Sequence, residues 1–377
     1  MLKIKHKLFY YLLIILLINI FIIAGQTRVN SNNSCGSGTP RDKNTWPFSC
    51  DSIWNMPIGS QARYVNAKIK PAYAIAPEIN FYITTTNKDP IVDWYSLQNW
   101  GEGRCELGGK LMGQIHFPHD VIVPDAIGKS TPNNAAAILQ PDGRTLIQIN
   151  PLARCEAGGP IFGYGTPNNS REDIYGQGIT GGQGGSGLSS IGGTIRLGEL
   201  LPSDSSIRHA LKIIVWGKKY LYKEPPGYRW PALRADRNAF NPDNDNGYGG
   251  INPYFVMGSL LAIPPSVTEA SLGLTTIPGK KIFHAFQDYG GYIVEGGSWD
   301  AHKVAIEKGV EEEFKSTYGY DFYSTRNNET PFYEDMNKIF QALNIVINNS
   351  PDRIGGGGKP RKPLPAFLLV SLVFRHH

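Results

Sequence analysis

Residues Ala135–Ile149 read AAAILQPDGRTLIQI, two apolar runs on either side of Pro141, Asp142 and Gly143. Proline presets the turn, aspartate accepts local hydrogen bonds and glycine frees φ, so the segment predicts a β-hairpin. Further along, His209–Trp216 (HALKIIVW) alternates as a strand. His209, Leu211, Ile213 and Val215 fall on one face, and Ala210, Lys212, Ile214 and Trp216 on the other. Between these strands Tyr175–Gly193 (YGQGITGGQGGSGLSSIGG) carries nine glycines, a density that marks close backbone approach or positive φ. Charged groups follow directly, with Arg196, Glu199, Arg208 and His209 entering the apolar run.

The chain has 377 residues with 43 Gly, 27 Pro and 11% aromatics, the composition of a loop-rich β protein. The expected fold is mainly β, a β-sandwich or jelly-roll-like core with a few peripheral helices, mostly in the C-terminal third. Helices are predicted over Lys280–Gln287, Val304–Phe314 and Phe332–Leu343, the last followed by a strand NIVIN. Thr194–Leu197 reads as a short strand, and Tyr222–Tyr254, rich in Pro, Asn, Asp and Gly, as a long structured loop. Residues 46–358 then form one β-rich domain. Residues 26–45 form a polar arm, and 359–377 a tail whose apolar run Phe367–Phe374 is too short to span a bilayer.

Residues 1–25 join Lys3, Lys5 and Lys7 to a long apolar run, the pattern of a secretory signal, with an uncleaved anchor as the alternative. Export suits the four cysteines. Cys35 is expected to pair with Cys50 within one N-terminal loop, and Cys105 with Cys155 across the hairpin. Sequons at Asn32, Asn168, Asn328 and Asn348 are candidate glycosylation sites. The formal charge of +5 owes three charges to the leader and four to Lys359, Arg361, Lys362 and Arg375 in a tail without acids. The body is near neutral, which argues against a nucleic-acid partner. A monomer is expected, touching a membrane only if the leader is retained.

Familiar motifs are weak or missing. GQGGSG at Gly182–Gly187 matches GxGxxG, but the hydrophobic strand before it and the helix after it are lacking. GxSxG fails at Ser186, which has Leu188 two residues on. No CxxC, HExxH or Walker lysine is present, so no cofactor is expected beyond weak structural calcium at the acids around NDNGYGG.

Three clusters remain. Asp173, Tyr175, Arg196, Glu199, Arg208 and His209 combine a base, an acid and a cation, as cleavage of a sugar polymer requires, although Arg196, Glu199 and His209 also suit a structural ion-pair network. Gln114 and His116 share a strand face in GQIHFPHD, an arrangement suited to a polysaccharide lyase or simply to a turn. Tyr228, Trp230 and Tyr248 are aromatics of the long loop, suited to stacking on sugars. FQDYGGYIVE also sets Asp288, Tyr289, Tyr292 and Glu295 at a helix-to-strand junction, where tyrosines ordinarily pack.

The blocks PNNAAAILQPDGRTLIQINPLARC, GGSGLSSIGGTIRLGEL, IRHALK, YRWPA, QDYGGYIVE and IGGGGKPRKPL resemble those of a family of secreted proteins from bacteria and microbial eukaryotes. The resemblance spans Trp46 to Pro365 and carries no assigned catalytic residue. The functional expectation is therefore one of class: a secreted carbohydrate-active enzyme, hydrolase or lyase, cleaving a polysaccharide. The alternative is a non-catalytic extracellular module that binds glycans or matrix.

Overall fold

The computed structural model describes residues 42–128, 132–165, 170–203 and 205–362. The first eight strands are β1 (Tyr64–Asn66), β2 (Ala74–Thr84), β3 (Ile91–Tyr95), β4 (Leu111–His116), β5 (Ala135–Leu139), β6 (Thr145–Ile149), β7 (Leu152–Ala153) and β8 (Ile161–Gly163). Eight more follow: β9 (Arg171–Asp173), β10 (Thr180–Gln183), β11 (Leu211–Trp216), β12 (Leu260–Ala262), β13 (Gly291–Gly297), β14 (Ala301–Glu307), β15 (Ser324–Thr325) and β16 (Asn344–Val346). The helices are α1 (Gly217–Tyr220), α2 (Glu269–Leu272), α3 (Ile277–Asp288), α4 (Val310–Tyr318) and α5 (Pro331–Ala342).

The protein is mainly β. One large mixed sheet runs β1-β16-β12-β13-β11-β14-β2-β5-β6-β9, with β15 added on β2, and a four-stranded sheet runs β4-β3-β8-β7. β11 and β13 are parallel, as are β14 with β2 and β2 with β5.

Period-2 alternation decides what covers each face. Leu211, Ile213 and Val215 point with Ile293, Val304 and Ile306 toward Phe283, Phe286, Met336 and Phe340 of α3 and α5. Farther along the sheet, Ala136, Ile138, Ile147 and Ile149 pack on Trp94, Ile115 and Ile161 of the small sheet, the second layer of a sandwich. The opposite face, with Ile214, Tyr292, Val294, Ala137 and Leu146, is covered by Phe48, Ile53 and Trp54 and by Leu188 and Ile191 of the glycine-rich segment.

Trp54 holds that cover down. Its Nε1 donates to the Gly178 carbonyl at 2.7 Å, and its ring meets Tyr292 edge-on at 5.6 Å. A Cβ on Gly192 or Gly193 would lie 2.4 and 2.5 Å from the indole, so only glycine lets the chain cross there.

The hairpin forms as β5 and β6, with Ala136 opposite Ile149. α3 contains the helix predicted over Lys280–Gln287 and α5 all of Phe332–Leu343 but its last residue, each is capped by a threonine at its N-terminus, and NIV follows as β16. Two predicted elements are corrected. Val304–Phe314 is no single helix: its first residues belong to β14, and α4 starts at Val310 after Gly309 at φ 103°. Alternation of Val304 and Ile306 fits a buried strand, and only Val310–Phe314 of the predicted span, with the acidic run Glu311–Glu313, is helical. Thr194–Leu197 makes a single bridge, Ile195 to Ile306, rather than a strand. Past residue 358, Arg361 Nε donates to Asp288 Oδ1 at 2.9 Å and Lys362 pairs with Oδ2 at 3.2 Å.

Cys105 and Cys155 form the expected disulfide, closing a separation of 50 residues. Cys50 is disulfide-bonded too, and its expected partner Cys35 lies outside the described residues. Replacing Cys105 and Cys155 by alanine is expected to cost about 2–4 kcal/mol by freeing the unfolded chain. Urea unfolding measures this, and an unchanged midpoint would deny the bridge a stabilising role.

Candidate active site

The pocket grows from a row of side chains across the face that Trp54 covers. Ile214 of β11 is in register with Glu295 of β13 on one side and with Lys303 of β14 on the other. Lys303 pairs in register with Ala76 of β2, two residues from Glu78 on the same face. Three ionisable groups from separate strands thus lie side by side, where an apolar sheet face would be the default.

They are bonded to one another. Lys303 Nζ donates to Glu78 Oε2 at 3.0 Å. Asn133, just before β5, donates through Nδ2 to Glu78 Oε1 at 2.9 Å and to both Glu295 oxygens at 2.8 Å. A single amide nitrogen therefore bridges the two carboxylates. Gln183, at the end of β10, adds a long contact from Nε2 to Glu295 Oε2, 3.4 Å, and accepts from Lys212 Nζ at 2.9 Å. Lys212 is fully buried and also donates to the carbonyls of Ser189 and Ser190, and burial holds its ammonium well below the ordinary lysine range.

A third carboxylate, Asp236, comes from the long loop. It accepts from Tyr248 Oη at 2.8 Å and from the Gly296 amide at 2.9 Å. Gly185 passes so close that a Cβ there would sit 1.9 Å from Asp236 Oδ1. Here the glycine-rich segment is the wall of a pocket.

That pocket is a cavity of about 750 Å³, lined by Glu78, Asn133, Asp236, Glu295 and Lys303 within, and by Trp100, Tyr164, Trp299, Arg234 and Arg237 toward solvent. Trp100 and Tyr164 stack at 6.1 Å with their planes 14° apart. Both are more than two-fifths exposed, and Trp299 is 38% exposed. Size and lining suit a ligand of several rings.

Burial disfavours charge on Glu295 and Asp236. It pushes the Glu295 carboxyl well above the usual range, reinforced by the Glu78 and Asp236 carboxylates and only partly offset by Lys303 and Asn133. Lys303 is opposed by burial, but the adjacent Glu78 outweighs this and raises it overall. Burial raises Asp236 from 3.8 to about 6, against the hydrogen bonds from Tyr248 and Gly296. The folded state therefore binds this proton more tightly than the unfolded chain. The resulting stability is complete below about pH 3.8 and is lost as pH rises through about 6. Asp236→Asn is expected to remove that slope and to stabilise the protein at pH 7 by up to about 3 kcal/mol, less what solvent at the pocket mouth screens. Thermal unfolding at pH 4 and pH 7 tests it, and an unchanged slope in the variant would clear Asp236 of the effect.

The residues singled out from sequence lie mostly elsewhere. Arg196, Glu199 and His209 do meet, but as a buried network, 4%, 6% and 4% exposed. Arg196 Nε donates to Glu307 at 2.8 Å, His209 Nε2 lies 3.0 Å from Glu199 Oε2, and Trp46 Nε1 donates to the other Glu199 oxygen. None of the three lines the pocket, and their geometry is that of a structural ion-pair layer. Arg208 stacks over Trp46 at 5.2 Å. Asp173 pairs with Arg144 at 2.6 Å on the sheet edge, and Tyr175 sits near Lys43 and Arg144.

Gln114 and His116 are on β4 of the small sheet, bonded to Asp93 and to the Asp89 carbonyl. Tyr228 is exposed at a bridge to Met257, and Trp230 is partly buried against the Trp54 layer. Tyr248, expected to stack on a sugar, is only 5% exposed and instead holds Asp236. Asn348 donates through Nδ2 to the carbonyls of Gln61 and Gly356, bonds a glycan there would displace. Asn328 is exposed, whereas Asn32 and Asn168 lie outside the described residues. Among the described residues no group of three or more His, Cys, Asp or Glu is placed to hold a metal, and no helix is long and apolar enough to cross a membrane.

Glu78, Lys303, Asn133, Trp100, Tyr164 and Trp299 were not singled out from sequence. The signal that marks two of them is a charge set among apolar residues of a strand, Glu78 in AIAPEINFYIT and Lys303 in AHKVAIE. No family model, curated protein or solved structure matches the chain, so the site's own chemistry carries the functional reading.

Proposed function

We propose that the protein is a secreted carbohydrate-active enzyme that hydrolyses a polysaccharide in this pocket. The observation that carries the reading is the pair Glu78 and Glu295, bridged by Asn133 beneath an exposed aromatic rim. Glu295, held toward its protonated form, is the general acid: it gives its proton to the glycosidic oxygen as the bond to the anomeric carbon breaks. Glu78, ion-paired with Lys303, is the nucleophile that bonds to that carbon. Water then displaces Glu78 and returns a proton to Glu295. Two carboxylates within reach of one amide nitrogen match the close spacing of retaining enzymes rather than the wider gap that admits a water. Trp100, Tyr164 and Trp299 supply faces on which neighbouring sugar rings stack.

The test is to incubate the protein with a panel of neutral and acidic polysaccharides, measuring reducing ends, absorbance of unsaturated uronates and the anomer first formed. New reducing ends with retained configuration support the proposal. Unsaturated product would replace hydrolysis by β-elimination. Binding without either product would make the protein a glycan-binding module.

A further inference from the structure

The pocket's charges are unevenly placed. Its interior cation, Lys303, is paired with Glu78, and Asp236 and Glu295 are bonded inside to Tyr248, Gly296 and Asn133. At the mouth stand Arg234 and Arg237, both exposed, on the same loop as Asp236. Neither makes an ion pair among the described residues: Arg234 donates to the Gly184 carbonyl at 3.5 Å and its charge acts on Asp236 only from farther off. Exposed arginine is ordinary, but two unpaired guanidiniums on a pocket rim that also bears three aromatic faces are not placed for solvation alone. A guanidinium presents a planar fork that matches a carboxylate or sulfate in two places. An aromatic face positions the ring that carries such a group.

From this we propose that the substrate is an anionic glycan, bound through a carboxylate or sulfate on a sugar ring by Arg234 and Arg237 at the pocket mouth. The inference rests on the glycan-cleaving reading and deepens it. It also accounts for how an acidic interior receives an anion. Lys303 offsets the charge of Glu78, and burial holds Glu295 toward its neutral form, which lessens the interior's repulsion of an anion. Both guanidiniums are solvated, so their attraction weakens as salt rises.

The experiment uses full-length protein and five probes: polygalacturonate, alginate, carboxyl-reduced polygalacturonate, a sulfated galactan and a cello-oligosaccharide. Binding and turnover are compared for the wild type, Arg234→Gln, Arg237→Gln and the double variant, with circular dichroism confirming the fold. The expected result is binding of at least one anionic probe, weakened about ten-fold or more by each substitution, the loss of a charge-assisted contact. The neutral probes should bind weakly and indifferently to the substitutions. A preference for the polyuronates assigns the anion as carboxylate, and a preference for the galactan assigns it as sulfate. Equal handling of neutral and anionic probes, or affinity unchanged in the double variant, overturns the inference while leaving hydrolysis standing. Failure of the wild type to bind or cleave any probe overturns both.

Discussion

Glu295→Gln is expected to lower turnover of the cleaved glycan by a factor of about 10²–10⁴, the usual worth of a positioned general acid in the proposed role. The substitution keeps the shape of the side chain and an oxygen for Asn133 while removing the proton that the leaving group must receive. Binding should survive, so kcat falls and the affinity for intact oligosaccharide does not. A readout that a structural role would not move is the leaving group itself. An aryl glycoside whose phenol departs without protonation should lose far less in the variant than the natural polymer does. Stability should change with the opposite sign. Burial and the neighbouring carboxylates raise the Glu295 carboxyl, so the folded state is favoured below the unfolded carboxyl value near 4.5 and loses that advantage as pH rises toward and beyond neutrality. The glutamine variant is therefore expected to unfold at a higher temperature than the wild type at pH 8, the gap closing near pH 4. Full activity in the variant, or the same fractional loss on both substrates, would remove Glu295 from the acid's role.

Trp54→Ala has the largest expected cost to the fold, about 3–5 kcal/mol for deleting a fully buried aromatic side chain. Three losses coincide. The indole leaves a void against Tyr292, the Gly178 carbonyl loses its donor, and Gly192 and Gly193 lose the surface they were shaped to cross. Trp54→Phe restores most of the volume but not the hydrogen bond, and should cost about 1–3 kcal/mol. Urea unfolding of the two variants separates packing from bonding. A Trp54→Ala protein within about 1 kcal/mol of wild type would mean that something else holds the glycine-rich cover.

What could be read from sequence follows from the range of the interactions. The hairpin of β5 and β6, the alternation of β11 and the helices capped by Thr276 and Thr330 are local, and their residues declare them. Val304–Phe314 misled because a helical acidic run abuts a buried strand with only Lys308 and Gly309 between them. The site was harder for the same reason. Arg196, Glu199 and His209 lie close in sequence and do come together, but adjacency in a chain selects for local ion pairs as readily as for catalysis. Glu78, Glu295 and Lys303 are neighbours only through strand order, which no periodicity contains. Glu295 stood in view at its junction, and what raised it above its neighbours was the carboxylate that β2 places beside it.

That strand order bears on when the pocket can assemble. Glu78 lies in the first quarter of the chain, and Glu295 and Lys303 in its last quarter, joined through β11 and β14. Pairings of such long sequence separation form slowly, because loop closure must precede the contacts that reward it. A chain still emerging from the ribosome therefore carries Glu78 before Glu295 and Lys303 have been made. Under the proposed hydrolysis, competence waits until β13 and β14 have been made and have paired with β11.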